Sequence, residues 1–267
     1  MYKIVASDMD GTLLTPDHRV APYTQSVLHR LHDQGKQFIF ATGRHHLDVA
    51  SFREKVGIPA YMITSNGARV HDTEDNLIFS HNVDPEIAKQ LIEMAKHDKT
   101  LSIHIYRDSD WLVSEIDETL EKYHKESGFS CELFDMDNPP LENIAKIFFI
   151  RHDHDYLTQY EDRFNDAFGS KVSVAFSTPF CLEVMGAGVS KGAALHIVAE
   201  KLGCSLEDCI AFGDGMNDAE MLSMAGKGLV MGTAHPRVME ALPGIEVIGS
   251  SADESVAKYL ESHLLEK

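Results

Sequence analysis

Short, wholly apolar runs separated by helical patterns constrain this chain more than any other feature. Ile4-Val5-Ala6, Phe38-Ile39-Phe40-Ala41 and Tyr61-Met62-Ile63 lack the alternation of a half-exposed strand and stop abruptly at Ser, Thr or Asp. Such runs suit strands covered on both faces, as in parallel sheets whose crossover helices lie on either side. Between them, Val27, Leu28 and Leu31 share one face of a helix expected from about Pro22 to Gln34, with Gly35 as its stop. A second helix is expected from roughly Leu47 to Val56. This alternation predicts an α/β fold: a Rossmann-like, doubly wound parallel sheet.

The rhythm changes after Asn66. Ala68–His71 and Leu77–Ser80, separated by Asp72-Thr73-Glu74-Asp75-Asn76, read as a hairpin. From 84 to 186 helices alternate with strands such as Leu101–Tyr106, Lys146–Ile150 and Val172–Phe176. The first pattern then resumes, with a helix from Lys191 to Leu202 and strands at Cys209–Phe212 and Gly228–Met231. The expected organisation is a discontinuous core, 1–83 with 187–267, carrying an inserted α+β domain at 84–186. A chain of 267 residues accommodates one full-sized domain and a smaller companion.

Net charge of -18 argues against nucleic acid or an anionic membrane as the main partner, since both are bound through an excess of Lys and Arg. No apolar stretch approaches membrane-spanning length. Cys131, Cys181, Cys204 and Cys209 form no CxxC pair and show no metal-binding spacing. Reduced thiols, an N-terminal run too short for a signal peptide and a cytoplasmic location are therefore expected. No feature bears on oligomeric state.

Chemistry concentrates where the apolar runs end. In Asp8-Met9-Asp10-Gly11-Thr12, two carboxylates two positions apart can both face the crevice above a sheet. Their mutual repulsion raises one proton affinity or recruits a cation. Asp8 can then act as a nucleophile and Asp10 as an acid and base; a solvated turn around Gly11 is the structural alternative. In Gly213-Asp214-Gly215-Met216-Asn217-Asp218, two acids offer hard oxygen ligands suited to Mg²⁺, without the spacing of an EF-hand. An acidic helix start would explain Asp218 but not the glycines or Asn217. Thr42-Gly43 can offer a hydroxyl and backbone N–H groups to an anion, or simply cap a helix. Lys191, at a helix start where the macrodipole disfavours a cation, is either a phosphate-neutralising group or an exposed lysine.

Taken in order, Asp8-Met9-Asp10-Gly11-Thr12, Thr42, Lys191 and Gly213-Asp214 through Asp218 resemble the four motifs of the haloacid dehalogenase-like superfamily. The sequence looks most like the Cof-type bacterial phosphatases, some of which dephosphorylate pyridoxal phosphate. The insert has the place and size of that superfamily's large α/β cap of the C2 type. The resemblance implies a Mg²⁺-dependent phosphatase that forms an aspartyl-phosphate and acts on small phosphorylated metabolites such as pyridoxal phosphate or sugar phosphates. It assigns Asp8 as nucleophile and Asp10 as acid/base. Mg²⁺ is then held by Asp8, the Asp10 backbone carbonyl and Asp214, with Asp218 supporting through water. Phosphate falls to the Met9 backbone, Thr42, Gly43, Lys191 and Asn217. Asp10 favours phosphate-ester chemistry over ion pumping or phosphonate cleavage.

Arg44, Asn66 and Glu183 are expected at the substrate rim. His45-His46 lacks a third ligand and is set aside as a metal site; His152-Asp153-His154-Asp155 reads as a solvated connection, and Trp111 as cap packing. Two rival functions share these features: a phosphomutase of the same fold and a non-catalytic phosphometabolite sensor.

Overall fold

The computed structural model describes residues 2–116 and 128–265. Residues 117–127, within the expected insert, lie outside the described residues, as do Met1 and the last two positions of the expected core. The chain divides into two compact units, one of residues 1–78 and 190–267 and the other of 79–189.

In the first unit, β1 (Ile4–Ser7), β2 (Gln37–Ala41) and β3 (Ala60–Thr64) are parallel neighbours, followed by the antiparallel β4 (Arg69–His71) and the edge strand β5 (Leu77–Ser80). In the second unit a six-stranded sheet contains β6 (Ser102–Tyr106), β7 (Trp111–Val113), β8 (Cys131–Leu133), β9 (Lys146–Ile150), β10 (Val172–Thr178) and β11 (Cys181–Gly186). The first unit resumes with β12 (Cys209–Gly213), β13 (Lys227–Met231) and β14 (Glu246–Ile248), giving the order β14-β13-β12-β1-β2-β3-β4-β5.

The apolar runs explain this sheet. Val5, Phe38, Phe40, Met62, Ile210 and Phe212 are buried on one side with Val27, Leu28 and Leu31 of helix Pro22–Asp33. Each such side chain contributes about 1.5–3 kcal/mol when fully buried, so the strands hold their place by packing on both faces. Chain order reverses at β1: β2 and β3 lie to one side, β12 and β13 to the other. The loops leaving β1 and β12 therefore diverge and open a crevice at the carboxyl ends of the strands. Register puts Ser7 opposite Phe212, and the Asp8 N–H donates to the Phe212 carbonyl at 2.9 Å. Asp8 and the Gly213–Asp218 loop are thereby neighbours.

The second unit's sheet is antiparallel except for the β7–β8 pair. Phe149 packs on Phe164 of helix His154–Phe168 with ring centroids 4.9 Å apart, while alternate residues Tyr106, Trp111, Val113 and Phe148 form a separate buried cluster. Trp111 is 3 % exposed and donates its indole N–H to His104 at 3.1 Å, which accounts for it as a packing residue. Asp153 caps helix His154–Phe168 by accepting from the Tyr156 N–H. Among the described residues no helix is long and apolar enough to cross a membrane.

Candidate active site

Three strand ends and one helix start supply these candidate residues. Asp8 leaves β1, Thr42 and Gly43 leave β2, Asp214 leaves β12, and Lys191 opens helix Lys191–Lys201. Lys191 is 0 % exposed and donates to Asp8 Oδ1 at 2.8 Å and to Asp218 Oδ1 at 2.6 Å. The unfavourable cation at this helix start is thus offset by two buried carboxylates. Burial alone would drive the proton from Lys191, but Asp218 and Asp8 outweigh it and hold the ammonium above its ordinary range.

Asp218 is satisfied on both oxygens, because its Oδ2 accepts the N–H groups of Asp214 at 3.0 Å and Gly215 at 2.9 Å. The loop wraps its own side chain and fixes the direction of Asp214. Thr12 Oγ1 donates to Asp214 Oδ1 at 2.9 Å. Gly11, at φ +75, makes this approach possible, since a Cβ there would stand 2.4 Å from Asp214 Oδ2. One ligand oxygen from each of Asp8, Asp214 and Asp218 lies within 4.8 Å of the others. Burial, then the charges of Asp218 and Asp214, raise the Asp8 carboxyl well above its ordinary value against the pull of Lys191. Asp214 is pushed up to about 6, by burial first and Asp218 second. One ammonium among three carboxylates leaves an excess of negative charge that takes up either protons or a cation.

Asp10 faces different company. Arg44 grips it with two bonds, Nε to Oδ2 at 2.6 Å and Nη2 to Oδ1 at 2.7 Å, and His18 Nδ1 lies 2.9 Å from Oδ1. Burial would raise the Asp10 carboxyl, but the Arg44 and His18 bonds prevail and hold it well below the usual carboxylate range. Arg44 is itself buried and donates Nη1 to Asp48 Oδ2 at 2.6 Å. Thr42 is buried at the end of β2, where its Oγ1 accepts the Arg44 N–H at 3.1 Å. Met9 is buried with its carbonyl accepting the Leu14 N–H. Asn217 Nδ2 donates to Asn66 Oδ1 at 3.0 Å.

Asp8, Lys191, Asp214 and Asp218 therefore form one bonded cluster, with Asp10 and Arg44 a second and Asn66 and Asn217 a third. Two of the residues expected at the rim are buried with partners of their own. Arg44 is a buried link between Asp10 and Asp48. Glu183 lies on β11 of the second unit, 2 % exposed and ion-paired with Lys146 of β9 within an aromatic surround, because a lone carboxylate there would be too costly. Three partners escaped the sequence reading. Thr12 and Asp48 had local signals, a hydroxyl inside the first motif and an acid four residues after Arg44; His18 had none.

A family model for haloacid dehalogenase-like hydrolases matches residues 5–260. The chain belongs to this family, as a Cof-type member. An HMP-PP phosphatase from Cronobacter sakazakii is 42% identical over 260 residues, covering 97% of this chain and 95% of the relative. A putative phosphatase from Haemophilus influenzae is 42% identical over 262 residues, covering 98% of this chain and 96% of the relative. Among solved structures, a haloacid dehalogenase-like hydrolase from B. subtilis superposes with a TM-score of 0.85 at 24% identity, covering 98% of this chain and 100% of its own. That likeness is one of fold. Family and relatives together make this haloacid dehalogenase-like hydrolase a phosphatase of small phosphorylated substrates.

Proposed function

We propose that this phosphatase is Mg²⁺-dependent and works through an aspartyl-phosphate at Asp8, with HMP-PP heading a substrate set that includes pyridoxal phosphate and sugar phosphates. One observation carries the mechanism: a buried lysine bonded to Asp8 and Asp218 beside Asp214. HMP-PP comes first because relatives at 42% and 41% identity over nearly the whole chain bear its name.

The donor set fits a hard divalent ion. Lys191 occupies Asp8 Oδ1 and Thr12 occupies Asp214 Oδ1, so each acid keeps a second oxygen, and three carboxylates exceed the one ammonium. Asp8 and Asp214, with the Asp10 backbone carbonyl, would hold Mg²⁺ directly. Asp218, satisfied by Lys191 and two N–H groups, would support it through water. When bound, Mg²⁺ neutralises charge on the phosphoryl oxygens and on Asp8.

In the first half-reaction an Asp8 carboxylate oxygen attacks phosphorus, and the bond from phosphorus to the leaving oxygen breaks as Asp10 donates a proton to that oxygen. Water then attacks the acyl-phosphate phosphorus, Asp10 takes its proton, and phosphate leaves with Asp8 restored. The Arg44 clamp keeps Asp10 ionised, the state required of the base. The acid role requires this clamp to loosen when substrate binds. Lys191, Thr42, Gly43, Asn217 and the Met9 backbone hold the phosphate in line with Asp8. We assign leaving-group selection to residues 84–186.

Phosphate release across a panel of HMP-PP, pyridoxal phosphate and sugar phosphates tests this reading, with the highest kcat/KM expected for HMP-PP. Excess chelator is expected to stop release, and Mg²⁺ to restore it; a full rate in chelator would refute the metal assignment. Little phosphate release together with a need for a bisphosphate activator would instead mark a mutase.

A pH dependence follows from Asp214. Its carboxyl, at about 6 against an ordinary 3.8, keeps its proton in the folded protein while the unfolded chain gives one up. The metal-free fold therefore loses stability as pH rises from about 4 to about 6, and the penalty is fully present above that interval. A cation needs the ionised form, so Mg²⁺ affinity is expected to strengthen over the same interval. Calorimetric titration at about pH 5 and about pH 7.5 should show tighter binding at the higher pH; equal affinities would contradict it.

A further inference from the structure

Beyond the end of β3 the chain takes an expensive course. Ser65 and Asn66 stand at φ 47 and 57, followed by Gly67 at φ 101. Left-handed backbone is tolerated by Gly, less well by Asn, and poorly by Ser. Both side chains are 1 % exposed, so solvent does not relieve the strain. Strain of this kind persists where surrounding contacts over-determine it.

Those contacts lead to the phosphate-facing segments. The Asn66 N–H donates to the Thr42 carbonyl at 3.0 Å and the Ser65 N–H to the Arg44 carbonyl at 2.9 Å. Gly67 sits so close to Ser190 that a Cβ would lie 2.2 Å from its carbonyl oxygen. Ser190 caps the helix that begins with Lys191, its Oγ accepting the Ala193 N–H at 2.9 Å. Finally, Asn66 Oδ1 accepts from Asn217 Nδ2 at 3.0 Å.

We infer that Ser65–Gly67 is a further active-site segment in which Asn66 is a positioning residue, turning the amino side of the Asn217 carboxamide towards the substrate phosphate. A carboxamide presents two N–H donors on one side and an acceptor on the other. An oxygen on Asn66 engages one Asn217 proton and leaves the second for an anion. With the opposite flip, Asn217 would offer its carbonyl oxygen and repel the phosphate. The inference rests on the reading that Asn217 faces phosphate, and it explains why a strained, buried polar turn joins Thr42, Asn217 and the Lys191 helix.

The test is a double-mutant cycle of Asn66→Gly and Asn217→Ala, read by kcat, KM and inhibition by inorganic phosphate. Glycine takes the left-handed backbone freely, so Asn66→Gly removes the side chain without strain, and thermal unfolding checks the fold. Asn66→Gly is expected to raise KM and the phosphate inhibition constant by about five- to tenfold, the scale of one neutral hydrogen bond's net contribution. The double variant should be no worse than Asn217→Ala, because Asn66 acts through Asn217. Multiplying effects would overturn this inference alone. An Asn217→Ala variant with unchanged KM and phosphate inhibition would overturn the phosphate reading as well. In the unsubstituted protein, NMR should show slowed solvent exchange for one Asn217 carboxamide proton; two equally fast protons would also overturn it.

Discussion

Asp8→Asn is expected to lower phosphate release from any phosphomonoester by a factor on the order of 10⁵ or more, the scale of losing a covalent nucleophile. The substitution is nearly isosteric, and the Asn oxygen can still accept from Lys191, which donates to Asp8 Oδ1 at 2.8 Å. The fold should survive, because the change also removes one of three crowded carboxylates, the one that burial and then the charges of Asp218 and Asp214 push upward. The measurement is phosphate release with a generic aryl phosphate, alongside thermal unfolding. A folded Asp8→Asn protein with appreciable turnover would end the aspartyl-phosphate mechanism. Acid quenching of the unsubstituted enzyme with labelled substrate should trap the label on Asp8.

Lys191→Met should affect both activity and stability. Methionine approximates the lysine stem but carries no charge, and Lys191 is 0 % exposed between Asp8 and Asp218. Removing the ammonium leaves two buried carboxylates without their cation, a loss of about 3–5 kcal/mol. For a chain of this size that corresponds to a fall in melting temperature of roughly 10 °C. Because a divalent ion can replace the missing positive charge, Mg²⁺ should recover part of the stability but little of the turnover. A melting temperature equal to that of the unsubstituted protein would mean that the carboxylates stay protonated without Lys191. The charge-neutralising role assigned to it would then fail.

The residues that carry these predictions were legible for a local reason. Asp8, Asp214 and Asp218 follow apolar strands within a few positions, and a strand end aims its next side chains at the crevice. Lys191 betrayed itself by opening a helix where a cation is unfavourable, a conflict between propensity and position. The burial of Arg44 is not written in its local sequence, because burial depends on what packs around a side chain. Its ties to Asp10 and Asp48 make it a buried connector. The burial of Glu183 is hidden for the same reason: β11 pairs with β9 and thereby offers it the ammonium of Lys146. His18 had no signal, since its bond to Asp10 exists only because the loop after Leu14 folds back.

Net charge shows the same boundary from the other side. An overall -18 predicts repulsion of a phosphate anion, and the total is indifferent to where each charge lies. Paired apolar runs and amphipathic helices were enough to specify a doubly wound sheet, because burial of each run is decided within a few neighbouring residues. Which acids end up beside Lys191 is a matter of distance in space: Lys191 and Asp8 are separated by 183 positions and meet only in the folded chain. Electrostatics at a site falls off over ångströms, not along the chain, so pattern could name the acids and the lysine while folding alone set how strongly each holds its proton.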